Sequence, residues 1–250
     1  MPLVSIIMPC HNSELYITPA IQSVILQTFT DWELLIIDDC STDNSVKIIS
    51  EYAKEDSRIK LLQTDKSFGK PFYPRNLGIQ NAIGRYIAFL DSDDIWLPTK
   101  LEHQLPLFEN QNAGIVFSYY QKLSSSGKES KNKTIKSPSK VTFNSALFGN
   151  PIGNLTGMYD SQKTGKIFFE NINHEDYLFW LTILKKGLIA VNTNTLEAIY
   201  RNSNTSLSSN KIQAARWTWN IYRKSLNFNP IKSSFYFFVY MIKGFIKSLK

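Results

Sequence analysis

Apolar and polar positions alternate between two periods along the first hundred residues. Val4–Met8 (VSIIM) is a short β-branched run ended by Pro9, the pattern of a strand buried on both faces. Ser13–Gln27 follows with Ile17, Ile21, Val24 and Ile25 at helical spacing. Trp32–Ile37 (WELLII) is a second buried strand that runs into Asp38 and Asp39. Ser41, Thr42 and Asp43 offer N-caps for a helix through Val46, Ile49 and Tyr52. Ile59–Gln63 predicts a third strand, Asn76–Ile83 a helix, and Tyr86–Leu90 a fourth strand ending in Asp91-Ser92-Asp93-Asp94.

Strand and helix thus alternate over about 95 residues, which predicts an α/β fold with a mostly parallel central sheet flanked by helices. In open sheets of this kind ligands bind beyond the carboxyl ends of the strands. Pro9–Asn12, Asp38-Asp39 and Asp91–Asp94 all fall at such ends, so three polar clusters converge on one rim. Beyond Trp96 the pattern loosens. Lys100–Asn110 predicts a helix, Ala113–Tyr120 a strand, and the Lys- and Ser-rich Ser124–Ser139 an exposed loop or hairpin tip. His174–Lys186 (HEDYLFWLTILKK) has the acidic start and basic end of a helix, with Gly187 placed to end it.

Composition adds a boundary. The 250 residues suffice for one large domain, or one domain with a tail. Eight of the 28 Lys and Arg, and none of the 21 Asp and Glu, lie in residues 211–250, which leaves 20 against 21 in residues 1–210. The net charge of +7 therefore belongs to the tail. If Ile231–Lys250 is one helix, Lys232, Lys243, Lys247 and Lys250 share an arc of about 60°, with aromatic and aliphatic residues around the rest. That is the make-up of an interfacial helix drawn to anionic lipid, although a helix packed on the rest of the chain has a similar pattern. No apolar run reaches the roughly 20 residues of a membrane span, and the N-terminus lacks a basic n-region. Cys10 and Cys40, without a metal-type spacing, are expected to be reduced thiols. A cytoplasmic protein, peripheral on the membrane's cytoplasmic face, is the expectation.

The acids at the rim then gain meaning. Asp91 and Asp93 at a strand end can point the same way and hold one hard divalent cation, Mg²⁺ or Mn²⁺, which leaves positions open for phosphates. They could equally serve as a helix cap with first-turn acids. Asp39 could accept hydrogen bonds from a ribose or base, or simply close a turn. Arg75, if it faces the rim, would pair with a diphosphate better than Lys could. Asp176, at a helix start, is placed as a general base or as a dipole partner.

Five segments in order, VSIIMPCHN, ELLIIDDCSTD, PRNLGIQNAIGRYIAFLDSDDIW, HEDYLFWLTILKKG and YRNSNTSLS, together resemble the family-2 glycosyltransferases of GT-A fold. The resemblance spans Val4 to Ser208 and is sharpest at FLDSDDIW. It implies a GT-A catalytic domain over 1–210, with a nucleotide-sugar half at about 1–97 and an acceptor half at about 98–210, followed by a helical tail at 211–250. It also implies that Pro9, Asn12 and Glu14 lie in the nucleoside loop, Asp39 meets the base or ribose, and Arg75 lies near the diphosphate. Asp91, Ser92 and Asp93 form the DxD element, with Asp93 the direct metal ligand and Asp91 its partner. Asp176 matches the base that deprotonates the acceptor hydroxyl in an inverting displacement. Where many relatives carry a His two residues after the Tyr-Arg pair, this chain has Ser203.

The expectation is a metal-dependent inverting transferase, of hexosyl or N-acetylhexosaminyl type. It moves a sugar from a nucleotide sugar, UDP-linked, to a glycan or lipid-linked acceptor in bacterial surface polysaccharide synthesis such as O-antigen or capsule. The alternatives are a non-catalytic nucleotide-sugar-binding subunit of a membrane assembly, and a nucleotidyltransferase. The latter is disfavoured because MPCHNSELY carries no glycine-rich phosphate loop. Nucleic acid is not an expected partner, since no recognition motif accompanies the charge.

Overall fold

A computed structural model describes residues 1–123, 133–201 and 211–248. The chain runs through β1 (Val4–Cys10), α1 (Ile17–Ile25), β2 (Trp32–Asp38), α2 (Ser45–Glu55), β3 (Ile59–Gln63), α3 (Phe72–Asn81), β4 (Tyr86–Phe89) and the two-residue β5 (Ile95–Trp96). It continues through α4 (Lys100–Gln104), a 3-10 turn at Leu105–Glu109, β6 (Ala113–Leu123), β7 (Lys133–Ile135), β8 (Lys140–Val141) and α5 (Phe143–Ala146). A second 3-10 turn at Asn154–Thr156, β9 (Met158–Asp160) and α6 (Ser161–Thr164) lead to α7 (Glu175–Leu184) and β10 (Ile189–Arg201). α8 (Lys211–Asn220), a π-helical turn at Ile221–Ser225 and α9 (Pro230–Ser248) close the chain.

The strands form one sheet in the order β3-β2-β1-β4-β9-β6-β10-β5, with β7 on β6 and β8 on β10. β1 to β4 pair in parallel, and so do β6 and β10. β9 lies antiparallel between β4 and β6, and joins the two parallel sets. Successive residues of β1 and β2 point to opposite faces. Ile7, Leu35 and Ile37 pack with Ile79 of α3 and with Phe179 and Trp180 of α7. Ile6, Met8, Leu34 and Ile36 pack with Ile17, Ile21 and Val24 of α1. Both faces are covered, which is why these strands read as unbroken apolar runs.

The mostly parallel sheet and its flanking helices match the expected fold class; two helix boundaries differ, and the strands β9 and β10 are additional. α3 begins at Phe72 rather than Asn76, because Pro74 falls in its first turn, where a missing N–H costs nothing. The helix expected over Lys100–Asn110 stops at Gln104 and gives way to the 3-10 turn, since Pro106 cannot donate to a carbonyl one turn back. β10 was not expected, because its middle is polar, with Asn194 at φ +61° and shifts in its register with β6. β9, which pairs with β4 and β6, was not expected either, because three residues are too few to show a period. β6 and β7 pair antiparallel and flank the expected hairpin, whose 124–132 stretch lies outside the described residues. Ser203 and the rest of 202–210 lie outside them too.

α7 ends where expected: Gly187, at φ +87°, donates its N–H to the Leu184 carbonyl at 3.1 Å. Beyond residue 210, Ile221, Tyr222 and Leu226 return to the core shared with α7. α9 turns Tyr236 and Phe237 inward and leaves Ile231, Phe235 and Phe238 exposed at 83, 58 and 66%. Among the described residues no helix is long and apolar enough to cross a membrane. Cys10 and Cys40 are both free thiols, and burial pushes the Cys10 thiol up to about 11.

Candidate active site

Three loops follow the carboxyl ends of β1, β2 and β4, and side chains tie them together. Asn12, in the left-handed region at φ +48°, accepts the Thr42 N–H at 2.8 Å on its side-chain oxygen and donates its own N–H to Ser41 Oγ at 2.9 Å. Glu14 accepts from the Asn44 N–H at 3.0 Å and from its side-chain amide at 2.9 Å. Ser92 and Ser13 share a hydrogen bond at 2.7 Å between their hydroxyls. Asn12, Glu14 and Ser92 are therefore fasteners of the rim and do not line its cavity.

That cavity, of about 300 Å³, is bounded by Pro9, His11, Asp39, Arg75, Asp91 and Asp93. Pro9, Asp39, Arg75, Asp91 and Asp93, expected from the sequence, are thus brought together. Asp39 is buried and spends its carboxylate on one wall. It accepts from Thr64 Oγ1 at 2.9 Å, Ser67 Oγ at 3.2 Å, and the N–H groups of Phe68 and Gly69 at 3.1 and 3.3 Å. The loop it holds stacks Phe68 on Tyr73, ring centroids 3.7 Å apart. His11 Nδ1–H donates to the Asp39 carbonyl at 2.7 Å and so fixes the second strand end against the first.

Arg75, from the first turns of α3, is almost fully buried and reaches two acids remote from each other in sequence. Its guanidinium donates to Asp91 Oδ1 at 2.6 Å and to Glu175 Oε1 at 3.0 Å. Burial opposes its charge, but Asp91 and Glu175 more than offset that and keep it protonated. Its Nε is buried with no hydrogen-bond partner among the described residues. Burial, and then the neighbouring charge of Asp91, raise Asp93 above the usual carboxylate range. Asp94, buried, is raised further by the same causes and accepts the Arg201 N–H at 3.0 Å. It thereby anchors the end of β10.

The donor set at Asp91 and Asp93 fits a hard divalent cation. Both groups offer oxygen only, and Asp93 carries an unfavourable burden of negative charge that a cation would relieve. Among the described residues no three His, Cys, Asp or Glu are placed to hold a metal by themselves. Remaining positions would fall to water and to a ligand's phosphates, as Mg²⁺ and Mn²⁺ accept.

Asp176 lies on the far side of Arg75. His174, at φ +59°, turns the chain into α7, and Asp176 occupies its first turn. Burial, and then the charge of Glu175, raise the Asp176 carboxyl to about 6, with Arg75 acting in the opposite sense. The Asn150 side-chain amide donates to Asp176 Oδ2 at 3.0 Å, and Asn150 Oδ1 accepts the Ile152 N–H at 3.1 Å, which fixes the amide's orientation. Asp176 borders two cavities. A middle one of about 270 Å³ also touches Arg75, Asp91 and Glu175, and an outer one of about 320 Å³ also touches Asn150, Lys136 and Ser137. Three cavities thus follow one another along the rim, linked by Arg75 and Asp91 and then by Asp176.

The sequence pattern described as "Glycosyl transferase family 2" matches residues 5–170. The chain belongs to this family of glycosyltransferases. It is 39% identical over 96% of its length, and 94% of the other chain's, to Bacillus subtilis (strain 168) TuaG, a glycosyltransferase named for teichuronic acid biosynthesis. It is 37% identical over 98% of its length, and 94% of the relative's, to Escherichia coli WfgD, a UDP-Glc:alpha-D-GlcNAc-diphosphoundecaprenol beta-1,3-glucosyltransferase. The fold of this glycosyltransferase superposes on Staphylococcus aureus TarS (residues 1–349, in complex with UDP-GlcNAc) with a TM-score of 0.71 at 21% identity, covering 95% of this chain and 70% of that one. It also superposes on a Pyrobaculum calidifontis mannosyltransferase in complex with GDP-Man and Mn²⁺, with a TM-score of 0.67 at 14% identity and coverage of 91% and 65%.

Two residues of this glycosyltransferase's site escape sequence reasoning. Glu175 reads as a first-turn acid, and only the fold brings it to Arg75, 100 residues earlier. Asn150 sits in an irregular segment after α5 with no motif around it, and no pattern in the sequence points to it.

Proposed function

We propose that this glycosyltransferase moves a hexosyl or N-acetylhexosaminyl group from a UDP-sugar to a saccharide acceptor by a single inverting displacement. The observation that carries this reading is the position of Asp176, between a cavity it shares with Arg75 and Asp91 and one that opens away from them. Residues 1–97 supply the nucleotide side, with Pro9 and Asp39 at the nucleoside and Arg75, Asp91 and Asp93 at the diphosphate. Residues 98–210 supply the acceptor side. A divalent cation held by Asp93 and Asp91, Mn²⁺ or Mg²⁺, would offset the charge on the departing diphosphate. Arg75 adds a fixed positive charge beside it.

Asp176 takes the proton of the acceptor hydroxyl. The acceptor oxygen forms its bond to the anomeric carbon from the face opposite the leaving group, and the anomeric carbon–oxygen bond breaks with its electron pair going to UDP. One base suffices for this displacement. The names of TuaG and WfgD favour bacterial surface polysaccharide synthesis and an acceptor carried on a lipid diphosphate. A lipid carrier favours a place on the cytoplasmic face of the membrane, with α9 as the contact.

Transfer from UDP-sugars in Mn²⁺, measured as UDP release with and without acceptor, tests the reading. Asp93→Ala and Asp176→Ala are each expected to abolish acceptor-dependent release. Transfer that survives both would overturn the assignment.

A further inference from the structure

The second 3-10 turn, Asn154–Thr156, is clamped by β5 and α4. Trp96 Nε1–H donates to the Leu155 carbonyl at 2.7 Å, and the Gln104 side-chain amide donates to the Thr156 carbonyl at 2.7 Å. Lys100 Nζ donates to Gln104 Oε1 at 2.7 Å and so fixes which end of that amide faces the turn. Thr156 Oγ1 closes the turn on the Gly153 carbonyl at 2.8 Å. Trp96, Lys100 and Gln104 are all buried, so the backbone at Asn154 is held by a rigid floor.

On this clamped turn the Asn154 side chain is left unpaired. Its Oδ1 and its Nδ2 are both buried, and neither has a hydrogen-bond partner among the described residues. Burying an amide in this way is unfavourable, because both ends give up water and gain nothing in its place. Among the described residues with such orphaned side-chain atoms, only Arg75 and Asn154 border a cavity of the rim. Both border the middle one, of about 270 Å³, where Asp91 and Asp176 also meet. The same cavity has an aromatic wall of Tyr120 and Tyr200, ring centroids 6.3 Å apart. Tyr120 Cε1 lies 3.0 Å from where a side chain on Gly153 would begin, so the residue before Asn154 has to be small for this wall to stand. An aromatic wall facing a few polar groups is the make-up of a small-molecule site.

We propose that Asn154 binds the transferred sugar, donating from Nδ2 to one ring substituent and accepting on Oδ1 from the neighbouring one. This rests on the reading that the sugar lies between the diphosphate at Arg75 and Asp91 and the base Asp176. An amide offers a donor and an acceptor side by side. Two adjacent hydroxyls of a pyranose, or a hydroxyl beside an acetamido group, offer the complement. The unfavourable burial is relieved only when the sugar is bound, so Asn154 gives up stability in the free enzyme for recognition of the donor.

Calorimetric titration of the full-length enzyme with UDP, UDP-Glc and UDP-GlcNAc in Mn²⁺ separates the nucleotide from the sugar. Asn154→Leu, close in shape but apolar, should weaken binding of whichever UDP-sugar the native enzyme takes by about tenfold and leave UDP binding unchanged. Its thermal midpoint should rise by about 2–4 °C, the opposite of what loss of a structural hydrogen bond would do. Asn154→Ala should give the same split between UDP-sugar and UDP. Unchanged UDP-sugar affinity in both variants would overturn the proposal. So would a lower midpoint with UDP and UDP-sugar weakened alike, which would make Asn154 a structural residue. Binding of UDP but of neither UDP-sugar by the native enzyme would overturn the proposal and leave the nucleotide side standing. No binding of UDP at all would strike the UDP-donor reading and the proposal with it.

Discussion

At the scale of residues, the neighbours of Asp176 act on its charge in opposite senses. Burial and Glu175 hold the Asp176 carboxyl up to about 6, and the Asn150 amide favours its ionised form. A base works only when ionised, so kcat/KM should fall as pH drops through about 6 and level off above it. Asn150→Ala removes a donor to the carboxylate and should move this limb to higher pH, while donor KM stays the same. Asp176→Asn should lower kcat by roughly 10²–10⁴. A pH profile of Asn150→Ala that overlays the native one would remove Asn150 from this role.

At the scale of elements, close packing places the site. Gly78 lets α3 lie directly on the sheet: a Cβ there would fall 2.6 Å from Ile7 Cγ2 and 2.8 Å from Ile37 Cδ1. Both neighbours are fully buried, so neither has room to move. Gly78→Ala should cost about 1–3 kcal/mol of stability, read from the urea midpoint. It should also lower activity, because Arg75 lies one turn earlier on the same helix. An unchanged midpoint would show that α3 can lift without loss. The elements that the sequence made legible are those with one uniform environment. β1, β2 and α1 are buried along whole faces, and their periods are clean. β10 is half polar and irregular in its register with β6, β5 is two residues long, and neither leaves a period to read.

For the whole molecule, the candidate site was legible where it sits on those clean strands. Pro9 lies at the end of β1, Asp39 and Asp91 to Asp93 follow the ends of β2 and β4, and the topology rule alone brings them to one rim. Their detailed partners were not legible, because Asp39 turns to the 64–69 loop and Arg75 to Glu175 only in the folded chain. The tail shows the same division. Its composition points to lipid, but the structure gives part of its apolar surface to the core. Ser233, Tyr236 and Phe237 face inward, while Ile231, Phe235, Phe238, Met241 and Ile242 form the outer ridge, an arc of about 120°. Ending the chain near residue 209 would strip Ile221 and Tyr222 from the core, so surface substitutions are the cleaner test. Phe235→Glu with Phe238→Glu should reduce co-flotation with phosphatidylglycerol vesicles about tenfold or more and leave thermal stability unchanged. Undiminished flotation would rule out this ridge as the contact.

Arg75 has one more consequence. Its partners Asp91 and Glu175 are 16 and 100 residues away along the chain, in segments that no single hairpin or helix pair brings together. Loop closure on that scale has to precede the contacts that reward it, and long-range contacts slow the approach to the native state. Until α7 docks, Arg75 has only one of its two counter-charges, and burying it is unfavourable. The full charge cluster therefore cannot form before α7 docks, and no fragment of the chain that ends before Glu175 can contain it.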